Sequence, residues 1–223
     1  ENLRAVKQNA PQFYPIGVFS DDIRDALRGN WIDGNKGGFL VGNGYEESIK
    51  FGIVGAVSHP QIDLTKIVHS QTAYAKTPAQ VINYVSCHDD PCLVDKLKAT
   101  IPDASEQELI AMNKLAQTIV FTSQGVPFIY AGEEVFRDKK GVHNTYKSPD
   151  DVNQINWSNK AKYHDVFNYY QQLIALRKAH PAFRMSTAEQ VNKHLTFRTQ
   201  DKNLVSYMIQ DYANGDSWKT ILV

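Results

Sequence analysis

The chain has 223 residues, and 24 Lys+Arg stand against 24 Asp+Glu for a formal net charge of zero, so no basic face is expected to draw it to a phosphate backbone. No apolar run approaches the roughly 18 to 20 residues of a membrane span, and the opening ENLRAVKQNAPQF lacks a signal peptide's apolar core, so a soluble globular protein is expected. Two cysteines, Cys87 and Cys92, are too few for a disulfide framework and show no zinc spacing, so neither metal nor cofactor is expected.

Taken in chain order, residues 15–19 (PIGVF) read as a strand that ends in Ser20-Asp21-Asp22, followed by a Gly-rich stretch from Asp33 to Gly44. Residues 46–57 place Ile49, Ile53 and Val57 on one helical face. The run 80–86 (QVINYVS) is apolar too continuously for a strand with one wet face and reads as a parallel strand buried on both sides, followed by His88-Asp89-Asp90. Asp103 and Glu106 have capping-box spacing ahead of a helix carrying Leu109, Met112, Leu115, Ala116, Ile119 and Val120, with Gly125 as its stop. A third strand, 127–131 (PFIYA), closes in Gly132-Glu133-Glu134.

The segment from about Glu134 to Ser158 is longer than an ordinary connection, and its aromatic and amide content marks a functional loop rather than disorder. Tyr163 to Arg177 gives another amphipathic helix, ended by His180-Pro181. Residues 194–199, 204–210 and 217–223 read as strands, with Asn214-Gly215 as the turn between the last two. Polar clusters after the first three strands stand where parallel α/β architectures bind ligands. Either a small doubly wound sheet or a piece of a barrel fits, because a complete eight-stranded barrel needs about 250 residues.

Four stretches narrow the choice. VINYVSCHDD (81–90) resembles the alpha-amylase superfamily region in which a strand ends in a His-Asp pair, in the form type I pullulanases have. VFSDDIRDALRG (18–29) is similar to the pullulanase segment around strand six, SQGVPFIYAGEE (123–134) to strand eight, and HNTYKSPDDVNQINW (143–157) to the loop after it. The resemblance implies an α/β fold, a partial (β/α)8 TIM barrel made of strand-helix units six to eight, in residues 1–183. The first strands of an antiparallel C-terminal β-sandwich would follow in 184–223. The activity it implies is that of a starch-debranching hydrolase cleaving α-1,6-glucosidic linkages in pullulan, glycogen or dextrins with retention, with an α-glucan as the partner.

Residue by residue, Asp89 matches the family's carboxylate that supports the transition state, and His88 the donor to a hydroxyl of the same sugar. Asp21 and Arg24 match contacts on the leaving-group side; Asp150, Gln154 and neighbouring Asn153 match those on the other side. Asp90 stands where pullulanases more usually have Asn, which alters a sugar contact. The family's nucleophilic Asp and acid Glu belong to strands four and five, before the first matched stretch. The chain by itself is therefore expected to be inactive, and its uncovered strands to drive self-association. A non-catalytic amylase-like binding subunit is the alternative, and a free-standing doubly wound enzyme lacks a Gly-rich phosphate loop. Cys87 and His88 are expected to point apart, as neighbours on an extended strand do, which leaves Cys87 to packing. Phe19, Tyr146 and Trp157 fit sugar stacking or core equally.

Overall fold

The computed structural model describes residues 4, 6–30, 32–198 and 201–223. Its first half is built on three short parallel strands, β1 (Val18–Phe19), β2 (Val81–Asn83) and β3 (Val126–Pro127), in that spatial order. Val18 pairs with Val81, and Ile82 with both Phe19 and Val126. The β1–β2 crossover carries α1 (Asp21–Arg28) and α2 (Glu46–Ile53), and the β2–β3 crossover carries α3 (Leu93–Thr100) and α4 (Glu106–Thr122). Each strand therefore delivers the chain to a helix, and the connections after β1 and β2 come to lie at one edge of the sheet. No helix among the described residues is long and apolar enough to cross a membrane.

The expected strands are present but short, and the third forms at Val126–Pro127, sharing only Pro127 with the expected 127–131. β2 covers three residues of the anticipated seven, because its neighbours end beside it and Pro78–Gln80 forms a tight turn before it. Burial continues past the strand, since Asn83 at its end and Tyr84, Val85 and Ser86 after it are all buried. Residues 80–86 are thus not an open apolar surface, and only Ile82 among them is partly exposed. The exposed apolar groups lie on the flanks, at Ile16, Phe19 and Val126. The capping box of α4 is Ser105 with Glu108 rather than Asp103 with Glu106: Glu108 N donates to Ser105 Oγ at 3.2 Å and Ser105 N to Glu108 Oε2 at 2.8 Å. Glu106, freed from that role, accepts from Lys162 and Tyr163.

After β3 the chain makes two one-turn helices, α5 (Asp150–Asn153) and α6 (Asn159–Lys162), then the long α7 (His164–Ala179), which packs on α4. A further helix, α8 (Ala188–His194), precedes an antiparallel sheet of β4 (Leu195–Phe197), β5 (Tyr207–Gln210) and β6 (Thr220–Leu222). Residue 199, the end of the expected first strand of this sheet, lies outside the described residues. Asn214-Gly215 turns the chain between β5 and β6, and both residues take positive φ.

One hydrophobic cluster joins the two sheets, running from Ile23 and Val81 through Val120 and Tyr170 to Ile209 and Ile221. Side chains also tie them together. Tyr207 Oη donates to Thr122 O at 3.0 Å, at the end of α4. His59 Nε2 lies 3.2 Å from Leu195 O, while Gln61 accepts from Phe197 N at 2.9 Å and donates to Phe197 O at 3.1 Å.

Arg177 closes α4 from α7. Its guanidinium donates to the carbonyls of Phe121 at 2.7 Å, Ser123 at 2.6 Å and Gly125 at 2.6 Å, so a buried cation satisfies the acceptors that a helix C-terminus leaves open. Burial lowers its pKa to about 10. Arg177→Met should strand those carbonyls and lower the melting temperature of the chain by roughly 6–12 °C, for a loss of about 3 kcal/mol. Differential scanning fluorimetry measures it; a change of a degree or less would mean that water replaces the guanidinium without loss.

Candidate functional site

The residues after β1 and β2 meet through α1. Arg24 Nη1 donates to Tyr84 Oη at 2.8 Å and lies 3.4 Å from Asp90 Oδ2, while its Nε and Nη2 grip Asp25 at 2.7 and 3.0 Å. One turn further on, Arg28 Nη2 donates to Asp90 Oδ2 at 2.8 Å and Nη1 to Pro91 O at 2.5 Å. His69 Nε2 sits 2.7 Å from Asp25 Oδ2 and extends the chain of polar contacts. Burial opposes the charge on Arg24, but the hydrogen bond and field of Asp25, with help from Tyr84 and Asp90, raise its pKa. Burial and the neighbouring Arg24 lower that of Arg28. Burial pushes the Asp25 carboxyl up, and the hydrogen bonds from His69 and Arg24 outweigh it and bring it below its usual range.

His88 and Asp89 are exposed, held between that network and a buried anchor. On one side Asp90 N donates to Asp89 Oδ1 at 3.0 Å. On the other, Ser86 Oγ donates to Glu133, a fully buried carboxyl that also accepts from Gln117 Nε2 and Tyr130 N, both at 3.2 Å. Desolvation pushes the Glu133 pKa up to about 7, against the pull of those hydrogen bonds.

Cys87 corrects an expectation. Its Sγ lies 3.2 Å from His88 Nδ1, because β2 stops at Asn83 and the strand's alternation no longer governs residues 87 and 88. Burial raises the Cys87 thiol pKa, so the contact is not that of an activated thiolate. Donor atoms of Cys87, His88 and Asp89 all lie within 4.8 Å of one another, the one such group found among the described residues, where the sequence showed no metal spacing.

Arg24 and Asp90 thus come together with the His88-Asp89 pair. Asp21 instead pairs with Lys7 and borders a groove of about 650 Å³ with Val6, Gln8 and Tyr74. Asn153 serves its own loop, donating to Thr145 O at 2.8 Å and Ser148 O at 2.9 Å, and its carbonyl accepts from Arg137. Asp150 is exposed at the first turn of α5. Gln154 lines a cleft of about 600 Å³ beside Lys98, Arg137 and Trp157. The 134–158 loop reaches the first group through His143, whose Nε2 is 3.6 Å from Asp90 Oδ1. Tyr146 and Trp157 are 72% and 61% exposed, so neither belongs to the core. Phe19 is 43% exposed and meets Tyr84 and Phe128 edge to face at 5.0 and 5.4 Å between centroids.

Sequence reasoning missed Arg28, His143 and Glu133. All three lie inside the stretches that carried the resemblance, and an arginine one turn after Arg24 on the same helical face was the available signal for the first.

A family model described as the all-beta domain of pullulanase matches residues 191–223. The pullulanase of Bacillus subtilis (strain 168) is 37% identical over 221 residues, 99% of this chain and 30% of its own length. A crystal structure of a substituted pullulanase from Paenibacillus barengoltzii, complexed with maltotetraose, superposes with a TM-score of 0.92 at 39% identity, covering 99% of this chain and 33% of that one. The chain belongs to the pullulanase family. It matches the C-terminal region of that fold and spans about a third of the length of these relatives. A second pullulanase structure from the same Paenibacillus, with maltohexaose and alpha-cyclodextrin, gives the same TM-score at 40% identity, with 99% of this chain and 33% of that one covered.

Glu133 generates a prediction about stability. A carboxyl with a folded pKa of about 7 against an ordinary 4.5 favours the folded state most below pH 4.5, and that contribution is lost as pH rises toward 7. Urea midpoints should fall between about pH 5 and about pH 8, and Glu133→Gln should flatten that fall. An equal fall in the variant would assign the pH dependence to other groups.

Proposed function

We propose that this chain is the C-terminal part of the catalytic machinery of a debranching hydrolase that cleaves α-1,6-glucosidic linkages in pullulan, glycogen or starch-derived dextrins with retention. In this reading β1, β2 and β3 are strands six, seven and eight of a (β/α)8 barrel within residues 1–183, and β4–β6 open a β-sandwich within 184–223. What supports it above all is the exposed His88-Asp89 pair at the end of the central parallel strand, in a chain alike over 99% of its length to pullulanases, among them one complexed with maltotetraose.

Retaining glycosidases divide the chemistry between a nucleophile and an acid/base about 5 to 5.5 Å apart, through an oxocarbenium-like transition state. Both of those carboxylates would come from the family's strands four and five, in segments that precede this match. The chain's own share is to hold the sugar. Asp89 accepts from ring hydroxyls of the sugar at the cleaved linkage, and that bond strengthens as positive charge builds at the ring. His88 donates to a hydroxyl of the same sugar. Arg24 and Asp21 contact glucose units on the leaving-group side, with Phe19, Tyr84 and Phe128 as the apolar floor beside them. Asp150, Asn153 and Gln154 contact the other side, where the exposed Tyr146 and Trp157 offer ring faces. Asp90, clasped by Arg28, acts on the sugar through the loop it fixes as well as by any contact of its own.

In a protein that includes strands four and five, Asp89→Asn should lower turnover by about a hundredfold or more while leaving dextrin affinity within about tenfold. Steady-state kinetics on pullulan with calorimetric binding of maltotetraose decide it, and near-normal turnover would remove Asp89 from the site. His88→Ala should cost less.

The chain of 223 residues alone should not hydrolyse pullulan, and light scattering after size exclusion should report a dimer or larger species, because β1 and β3 have each a neighbour on one side only. A monomer with a cooperative melt would mean that these elements bury their own core and that the partial-barrel assignment fails.

A further inference from the structure

We infer that Cys87, His88 and Asp89 form a binding site for a thiophilic divalent cation of the zinc class, seated on the same side chains assigned to sugar binding. The metal site stands on geometry alone; only its overlap with the glucan site rests on the proposed function.

The donor set is the first argument. Thiol sulfur, imidazole nitrogen and carboxylate oxygen are the three ligand types zinc takes most readily, and three protein ligands with a position open to solvent is the arrangement of an accessible rather than a sealed site. Zinc bonds of about 2.3 Å to sulfur and about 2.0 Å to nitrogen place those two atoms about 3.5 Å apart at a tetrahedral angle. Here Cys87 Sγ and His88 Nδ1 are 3.2 Å apart, and the Asp89 carboxylate is within 4.8 Å of both. His88 and Asp89 are exposed, so small side-chain rotations complete the approach.

Preorganisation is the second. The three residues are pinned at both ends, by the buried Ser86–Glu133 bond before them and by the ion pair of Asp90 with Arg28 after them. Asp90 N takes one oxygen of Asp89 at 3.0 Å and leaves the other as the third donor. Since Arg28 matches the charge of Asp90, Asp89 is the carboxylate whose charge is left for a cation. Binding forms the sulfur–metal bond with loss of the S–H proton to solvent, a displacement that a coordinated dication drives. Cys92 is not part of this: it is buried and its sulfur faces Asp95 and the Arg137 carbonyl.

Cobalt(II) added to the chain should produce the thiolate-to-metal charge-transfer band in the near ultraviolet, and zinc(II) should displace it with a micromolar dissociation constant. Cys87→Ser should abolish the band, His88→Ala should weaken cobalt binding at least about tenfold, and Cys92→Ser should keep it. No band at millimolar cobalt, or a band that survives Cys87→Ser, overturns the site. The second arm uses a protein that hydrolyses pullulan, with each variant's rate divided by its own metal-free rate. Zinc should inhibit, a chelator should restore the rate, and Cys87→Ser should need at least about tenfold more zinc. A Cys87-dependent band without inhibition of hydrolysis leaves the metal site standing and removes Asp89 from the sugar site.

Discussion

A guanidinium withdrawn from water costs several kcal/mol unless its donors are matched, and Arg28, only 1% exposed, has its two terminal nitrogens matched by Asp90 Oδ2 and the Pro91 carbonyl, while its buried Nε finds no partner. Both acceptors belong to the loop after β2, so α1 and that loop can dock in one register only. Arg24, a turn earlier on the helix, then arrives over Tyr84 and within 3.4 Å of Asp90. The network is a constraint on position more than a source of stability, because removing one member leaves a charge buried without its partner.

From the other side, the same loop rests on Glu133. A carboxyl placed among Ser86, Gln117 and the Tyr130 amide links the end of β2 to the turn after β3 through one buried group. Asn83 does comparable work lower down, where its amide donates to Gly52 O at 3.0 Å and Gln124 O at 2.9 Å and ties β2 to both flanking crossovers. The exposed His88-Asp89 pair is thus carried on a buried polar scaffold. That suits a site that must hold its shape while facing solvent.

Much of this was legible in the sequence. The three parallel strands, the helix of 106–122 and the turn at Asn214-Gly215 follow from apolar runs and punctuation, and four stretches gave the family. The same stretches singled out the His88-Asp89 pair and Arg24 as candidates. What escaped was set by tertiary contact. The length of β2 depends on where its neighbours stop, and the convergence of Cys87 on His88 depends on that stop. α8 buries one residue, Val191, and shows no periodicity; its signal was local, Thr187 accepting from Gln190 N, the spacing of a capping box. Glu133 reads as surface acid in a GEE triplet, and only the fold reveals that it is enclosed.

The bonds that His59 and Gln61 make to β4 have a consequence for assembly. Leu195 and Phe197 present their outward backbone groups on the free side of the antiparallel sheet, and Gln61 satisfies both the N–H and the carbonyl of Phe197 while His59 meets Leu195 O. Two side chains from a distant segment thereby imitate a fourth strand. That border of the sheet cannot recruit a strand from another molecule, and a foreign segment would first have to displace an amide already bonded at both ends. Intermolecular pairing in this chain is steered toward the remaining edges, β6 and the flanks of the parallel sheet, where no side-chain surrogate of this kind stands among the described residues.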